Sequence, residues 1–212
     1  HSTWGFATPS NSICKQLTMS KKNKAMKVYV FLADGFEDVE ALIPVDVWRR
    51  ADIDVTTVSI MESLQVITAH GVGIQADTTF EETTFDDADL LFLPGGMPGA
   101  TNLNSHEGVK KALVAQTEKG KRVAAICAAP LVLGGLGLLK GKKATCYPGF
   151  EETLIGATYT ADLVTVDGNI TTGEGPAAAF PFAYSLLAQM KGDATADAIA
   201  EGMRYKHLMS TR

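Results

Sequence analysis

The 212-residue sequence contains few of the residues that cross-link small proteins or bind metals: three cysteines and four histidines. Cys14, Cys127 and Cys146 are an odd number of cysteines without metal-ligand spacing, so neither a disulfide framework nor a metal site is predicted. Free thiols are typical of a reducing compartment, and we expect the protein in the cytoplasm.

Long apolar runs and blocks of like charge are also missing. No run approaches the ~20 residues that span a bilayer, so no membrane partner is expected. The net charge of -5 is modest, and the charges are mixed, so the chain offers nucleic acid no dense phosphate-neutralising face. With 46% hydrophobic residues, the chain can bury a large core.

The first 25 residues differ in composition from the rest of the chain. They are rich in Ser, Thr, Asn and Lys and lack the apolar stretch of a secretory signal. We interpret residues 1–25 as a disordered tail or tag remnant, with Met19 or Met26 as the native start. Residues 26–212 are interpreted as a single domain.

From Met26 onward, β-type runs alternate with helical ones. Strands are predicted at 27–32, 54–60, 90–93, 123–126, 143–146, 163–166 and 169–172, and helices at 37–51, 106–119, 177–190 and 194–208. Two short runs, 65–68 and 72–76, predict a small hairpin. Pro44 predicts a kink or a restart in the first helix. The alternation is typical of an α/β three-layer sandwich with a mostly parallel sheet.

Cys127 lies where a predicted strand turns into a helix-like run, 128–133. The free N–H groups and the dipole at the start of such a helix favour a thiolate over a thiol. Ala125 and Ala129 are small, as a sharp nucleophile elbow requires. A buried, inert cysteine explains the local pattern equally well.

Two other features belong to the same predicted edge of the sheet. Gly95 and Gly96 follow the strand at 90–93 and permit close backbone approach, which suits N–H donors to an oxyanion, although a simple tight turn has the same pattern. Glu40 lies one turn inside the first helix. If it faces inward, burial would raise its pKa, and the protonated carboxyl could donate a hydrogen bond to a thiolate.

Four segments together resemble the ThiJ/PfpI superfamily, in the branch that includes Parkinson disease protein 7 and its bacterial relatives. They are Asp34–Glu40 with Ile43–Val47, Leu93–Gly96 with Gly99-Ala100, Ala124–Pro130, and Gly175-Pro176. The similarity runs from about Met26 to about Tyr205. It implies a flavodoxin-like sandwich, usually a homodimer, with a reactive cysteine on the elbow.

The resemblance also implies roles for the matching residues. Cys127 matches the nucleophile, and Glu40 matches its protonated carboxyl partner. The N–H groups of Gly95, Gly96 and Ala128 match the backbone donors.

The expected pocket also includes Glu37, Tyr147, His70 and Pro176. Glu37 matches a position near the pocket and the dimer contact. Some relatives carry a basic residue at the position of His70 that reaches across the dimer, while a solvated turn histidine fits the pattern equally well.

Two departures from the family pattern narrow the function. The protease-like branch has a histidine directly after the cysteine, and Ala128 at that position disfavours a peptidase. The stress-protein branch often has a pocket histidine before a proline, and here Tyr147 precedes Pro148. The Tyr147 hydroxyl can donate a hydrogen bond but cannot shuttle protons near neutral pH. A purely structural role, with the ring packed over the pocket, explains a tyrosine at this position equally well.

Two functions stay open on the sequence. In the first, Cys127 and Glu40 act on small reactive aldehydes, as in a glyoxalase or deglycase that converts methylglyoxal to lactate. In the second, the protein is a redox sensor or chaperone-like stress protein whose Cys127 is oxidised to sulfinate. The first function needs a small aldehyde as substrate, and the second needs an oxidant. Neither needs a cofactor or a metal. A role in thiamine biosynthesis is disfavoured, because no recognisable thiazole phosphate site is present.

Overall fold

The computed structural model of this protein describes residues 24–212. The expectations for the tail, including Cys14 and Met19, therefore concern residues outside the described part of the chain. The boundaries of the domain stay a prediction.

Eleven strands and seven α-helices are present in residues 24–212. The strands are β1 (Lys27–Leu32), β2 (Asp54–Ser59), β3 (Gln65–Ile67), β4 (Gly73–Gln75), β5 (Thr78–Thr79), β6 (Leu90–Leu93), β7 (Arg122–Ile126), β8 (Lys143–Ala144), β9 (Thr158–Tyr159), β10 (Val164–Asp167) and β11 (Ile170–Gly173). The helices are α1 (Asp38–Arg50), α2 (Gly99–Asn104), α3 (Glu107–Glu118), α4 (Pro130–Gly135), α5 (Ala179–Lys191), α6 (Asp193–Gly202) and α7 (Tyr205–Ser210).

Seven strands form the central sheet in the order β10-β11-β7-β6-β1-β2-β5. All neighbouring pairs are parallel except β10 and β11, which are antiparallel. The chain moves outward from β1 to β2 on one side and from β6 to β7 on the other. The topological switch therefore lies between β1 and β6, where open α/β sheets form their sites at the carboxyl ends of the strands.

Side chains of the central strands alternate between two separate cores. Val28, Val30 and Phe92 pack with α1 and α5 on one face, where Trp48 and Phe182 are fully buried. The opposite face packs against α2, α3 and α4, and its core includes Tyr29, Phe31, Leu91, Leu113 and Leu133. Because both faces are covered, β1 and β6 are nearly continuous apolar runs, and the predicted three-layer sandwich is confirmed.

The hairpin and most predicted strands lie where the sequence predicts them, three predictions differ from the structure, and the short elements β5, β9 and α2 were not predicted. The first helix continues through Pro44 without a restart. The strand predicted at 143–146 shrinks to β8, which pairs with β9 outside the main sheet. The final helix, predicted as one, is two: the chain breaks at Met203 and Arg204, and Arg204 is left-handed with φ 64°. No helix in the described range is long and apolar enough to span a bilayer.

Candidate active site

The loops that follow β1 and β6 are tied together at the carboxyl edge of the sheet. The Glu37 N–H donates to the Gly95 carbonyl at 2.8 Å, and the Gly99 N–H donates to the Gly35 carbonyl at 3.2 Å. Gly96 has φ 92°, and a Cβ on it would lie 2.4 Å from the Glu37 nitrogen. Only glycine fits this approach, so the start of α1 is fixed beside the Gly95-Gly96 turn.

Cys127 lies directly after β7, in the left-handed region with φ 66°. A non-glycine residue in this conformation costs roughly 1–2 kcal/mol, so the surrounding structure must hold it. Two backbone hydrogen bonds do so: the Cys127 N–H donates to the Gly173 carbonyl, and the Cys127 carbonyl accepts from the Tyr147 N–H, both at 2.9 Å. The side chain is 8% exposed, at the elbow between β7 and α4.

The Glu40 carboxyl is fully buried beside Cys127. A Cβ on Gly95 would lie 2.6 Å from the Glu40 Oε1 atom and 2.6 Å from the Cys127 Cβ atom, so all three groups meet at one point. Neither Glu40 oxygen has a hydrogen-bond partner of good geometry within residues 24–212. A buried, unpartnered carboxyl is costly, and its position against a thiol indicates a chemical role.

The two side chains influence each other's ionisation. Burial raises the pKa of Glu40 to about 7, with the Glu37 carboxylate adding to the increase and the Cys127 thiol opposing it. Burial also raises the pKa of Cys127 to about 12, reinforced by the adjacent Glu40 charge. Between about pH 7 and about pH 12 the pair therefore holds one proton, mainly on sulfur. The thiolate that the strand-to-helix turn predicts is thus the minor form, because burial and the Glu40 charge outweigh the backbone N–H groups.

The backbone N–H groups divide between the two partners. Those of Gly96 and Ala128 lower the pKa of Cys127, because they favour the thiolate. The N–H of Gly95 acts instead on the Glu40 carboxyl and lowers its pKa. The N–H groups of Gly95, Gly96 and Ala128 thus all lie at the site. Those of Gly96 and Ala128 are directed to the Cys127 sulfur, and that of Gly95 is directed to the Glu40 carboxyl.

His70 and Glu37 lie at the rim of the site. The His70 Nδ1 atom is 2.8 Å from Asp38 Oδ2 and 3.6 Å from Glu37 Oε1. The hydrogen bond to Asp38 raises the pKa of His70. Ligand atoms of these three side chains lie within 4.8 Å of one another, close enough to hold a cation, although exposed groups of this kind are common without one.

Tyr147 and Pro176 flank the elbow on the opposite side. The Tyr147 ring lies against Gly175, where a Cβ would be 3.2 Å from the ring Cδ2 atom. Pro176 begins the 3₁₀ turn Pro176–Ala178 that leads into α5. Tyr147 is 46% exposed, and its backbone N–H donates to the Cys127 carbonyl, so an exposed aromatic residue adjoins the elbow.

Histidines in residues 24–212 take no part in a pair with Cys127. His70 pairs with Asp38, the His106 ring accepts from the Val109 N–H as the cap of α3, and His207 lies in α7. A cysteine–histidine dyad is therefore absent from the described residues.

Sequence reasoning missed Gly173 and the pairing of Asp38 with His70. Gly173 ends β11 and accepts the Cys127 N–H, a role visible only once β11 is known to be next to β7. Asp38 carries a signal, since it begins a helix that follows the first strand, but the hairpin that brings His70 to it is a tertiary contact.

Comparison with known proteins gives consistent matches. A model of the DJ-1/PfpI family matches residues 26–189. Protein DJ-1 homolog B of Arabidopsis thaliana is 41% identical over 177 residues, which cover 82% of this chain and 40% of that protein. A deglycase of Pyrococcus abyssi is 36% identical over 157 residues, covering 71% of this chain and 91% of the deglycase. The chain thus spans less than half the length of its Arabidopsis relative.

A solved structure shares the fold as well. Oxidised DJ-1 of Toxoplasma gondii superposes with a TM-score of 0.82 at 33% identity, covering 84% of this chain and 98% of that one. This likeness confirms the flavodoxin-like arrangement that the sequence motifs imply.

Proposed function

The chain belongs to the DJ-1/PfpI family, and from this premise we propose that Cys127 is the nucleophile of a glyoxalase- or deglycase-like stress-response enzyme. The substrates are small reactive aldehydes such as methylglyoxal. The observation that carries the proposal is the fully buried Glu40 carboxyl, which lies against the Cys127 elbow without a hydrogen bond of good geometry. The name of the archaeal relative, a deglycase, supports the same class of chemistry.

The single proton of the pair gives it both roles that the reaction needs. When the proton lies on Glu40, the sulfur is a thiolate favoured by the Gly96 and Ala128 N–H groups. The thiolate forms a C–S bond with the aldehyde carbon, and the resulting alkoxide takes the proton from Glu40, giving a hemithioacetal.

The remaining steps balance without an external oxidant. The Glu40 carboxylate removes the proton from the carbon bonded to sulfur and returns it to the neighbouring carbonyl carbon through an enediol. The hemithioacetal of methylglyoxal thereby becomes a lactoyl thioester. Water hydrolyses this thioester to lactate and restores the Cys127 thiol, so the overall reaction is methylglyoxal plus water to lactic acid.

Substitutions at the pair test this proposal. We expect Cys127→Ser to lower methylglyoxal turnover by at least about 1,000-fold and Glu40→Gln to lower it by roughly 100- to 10,000-fold, the range for general acid–base groups. Cys146→Ser, which removes a second buried thiol, is the control and should keep activity. Full turnover by Cys127→Ser would end the proposal.

The pH dependence of Cys127 alkylation tests the coupling of the pair directly. With Glu40 present, the iodoacetamide rate should rise with a strongly alkaline midpoint, because burial and the Glu40 charge raise the pKa of Cys127 to about 12. In Glu40→Gln the midpoint should move to lower pH, because the neighbouring negative charge that helps to raise the pKa of Cys127 is removed. An unchanged midpoint would contradict the coupling.

A redox role for the same thiol is the second candidate, favoured by the oxidised form in which the Toxoplasma relative was solved. Two molecules of peroxide would each transfer one oxygen to Cys127, giving sulfinate and two waters. Protonated Glu40 would donate to a sulfinate oxygen. Mass spectrometry after mild peroxide should find two added oxygens on Cys127 and none on Cys14 or Cys146; equal oxidation of all three would contradict a sensor.

We also propose a homodimer in the cytoplasm. Val39 and Leu42 on α1, with Ile67 and Val72 on the hairpin, are 39–49% exposed and give a second copy an apolar surface beside the site. Cys127 and Cys146 are both free, as a reducing compartment requires. Sedimentation should give twice the chain mass, and Leu42→Glu should reduce it to one chain; a monomeric wild type would refute the dimer.

A further inference from the structure

A groove of about 500 Å³ lies between α5, α6 and α7, and we call it the α5–α6 groove. Its walls are mostly apolar. Ala188 on α5 and Ala196 and Ala200 on α6 are small, and the ring centroids of Tyr184 and Tyr205 lie 5.0 Å apart. A groove lined in this way is typical of a surface that another segment covers.

The groove is acidic at one end. Asp193 and Asp197 line it, one turn apart at the start of α6, and both are exposed. Neither carboxylate lies within 4.0 Å of a lysine or arginine of residues 24–212. The opposite end carries Tyr205 and Lys206, and the Lys206 Nζ atom is 3.8 Å from the Glu201 Oε2 atom. A segment that fits the groove therefore carries positive charge at one end and apolar groups along the rest.

The described chain begins beside this acidic end. Residues 24–26 line a recess together with Met190 and Lys191 in the last turn of α5. Lys191 lies three residues after Ala188, which lines the groove, so the two are neighbours on one side of the helix. The chain that precedes residue 24 therefore leaves the recess within about one helical turn, roughly 5 Å, of the α5–α6 groove.

The preceding segment matches the groove in charge and in order. Residues 1–23 contain three lysines and no acidic residue, whereas all 24 acidic residues of the chain lie in residues 24–212. Lys21 and Lys22 are nearest to the recess, and the next apolar side chains along the segment are Met19, Leu17 and Ile13. Residues 13–23 reach up to about 36 Å when extended, and α6 is about 15 Å long, so they can follow the whole groove.

We propose that residues 13–23 dock in the α5–α6 groove of their own chain. The two adjacent lysines pair with Asp193 and Asp197, and the three apolar side chains cover Tyr184, Tyr205 and the alanines. Attraction between the lysines and the carboxylates sets the direction of the segment, and burial of apolar surface on both partners holds it. The docking differs from the disordered tail that composition predicts for these residues, and it is independent of the proposed chemistry.

Chemical cross-linking of the full chain tests the docking directly. A water-soluble carbodiimide joins a lysine to a carboxylate only when the two are in contact, and peptide mass spectrometry identifies the joined residues. In the band of single-chain mass on a denaturing gel, we expect one of the two lysines to be joined to Asp193 or Asp197. Lys119 and Asp86, which are 3.4 Å apart and both exposed, provide the positive control.

A charge swap tests whether the ion pairs hold the segment. Amide hydrogens of residues 13–23, followed by mass spectrometry, should exchange on the order of 3- to 10-fold faster in Lys21→Glu/Lys22→Glu than in the wild type, because repulsion replaces two ion pairs. Adding Asp193→Lys/Asp197→Lys to that variant should restore slow exchange, since the pairs then form with their charges reversed.

A second pair of lysines controls for net charge. Lys140→Glu/Lys142→Glu makes the same change of charge in the loop between α4 and β8 and should leave the exchange of residues 13–23 unchanged. An equal effect of this control pair would refute a specific docking, and so would failure of the charge swap to restore slow exchange.

The cross-linking outcomes are equally decisive. Cross-links found only in the band of twice the chain mass would mean that the groove holds the segment of a second copy, and docking within one chain would be wrong. Absence of any cross-link to α6, while Lys119 joins Asp86, would also overturn the proposal. Methylglyoxal turnover should not change in any of these variants, so the docking and the proposed function can fail separately.

Discussion

The two ends of the central sheet treat their buried polar groups in opposite ways. At the amino end, the Gln116 amide donates to the carbonyls of Ala88 and Arg122 at 3.0 and 3.2 Å, and the Asn169 amide donates to the Lys121 carbonyl at 2.9 Å. At the carboxyl end, three buried oxygens of Glu37 and Glu40 have no hydrogen bond of good geometry within the described residues.

This contrast separates structural polar groups from chemical ones. Satisfied amides join strand starts to helix ends and stabilise the sheet. The unpartnered carboxyl oxygens destabilise the fold, and they lie beside a cysteine with strained backbone. The stable amino end of the sheet thus supports a reactive site at the carboxyl end, where the hydrogen-bonding needs of the buried carboxyl groups are poorly satisfied.

Adding a methyl group at the carboxyl end should have the largest effect. In Gly95→Ala the new Cβ would lie 2.5–2.6 Å from Ile126 O, Cys127 Cβ and Glu40 Oε1. We expect a loss of about 3 kcal/mol in the free energy of unfolding, measured in urea, because buried backbone must move. Turnover should fall on the order of 100-fold from the displaced pair.

A matched glycine provides the control for this variant. Gly202 ends α6, and a Cβ there would meet nothing within 4 Å. Gly202→Ala should leave both stability and turnover close to wild type. Equal losses of stability and turnover in the two variants would show that crowding around Gly95 is not their cause.

Removing the buried acid should have an intermediate effect whose sign depends on pH. The folded protein binds the Glu40 proton more tightly than the unfolded chain, since burial raises the pKa to about 7 from 4.5. The stabilisation of the fold by this proton is complete below about pH 4.5 and is lost as the pH rises through 7.

Glu40→Gln removes that pH dependence. Between pH 5 and pH 8, the free energy of unfolding of Glu40→Gln should therefore rise by about 2 kcal/mol relative to that of the wild type. Denaturant unfolding of both proteins at both pH values measures this change. Glu118→Gln, at an exposed position, should show no such difference. A wild type whose stability relative to Glu40→Gln is the same at the two pH values would contradict the raised pKa.

Disturbing the satisfied end should have the smallest effect and leave the chemistry intact. Gln116→Met keeps the side-chain length but removes the donor to the Ala88 and Arg122 carbonyls. We expect a loss of about 1 kcal/mol in the free energy of unfolding, with unchanged methylglyoxal kinetics and Cys127 alkylation. Loss of turnover without loss of stability would mean that the two ends are coupled.

The elements that local patterns predict are those set by local physics. Apolar runs at 27–32 and 90–93 form β1 and β6 because strands buried on both faces must be apolar throughout. The break at Arg204 escaped prediction because the helical pattern continues past it, and the packing of Tyr205 against Phe180 and Tyr184 is a long-range contact.

Residues close together in the chain were enough to predict which segments form strands and which form helices, the cysteine at a strand-to-helix turn and the family motifs. Long-range packing was needed to show that Glu40 faces Cys127, that the Gly95 N–H is directed to the Glu40 carboxyl and that the Gly173 carbonyl holds the Cys127 N–H. Strand order and the rotation of α1 bring these groups together. Both are set by packing on the two faces of the sheet, which no short segment encodes.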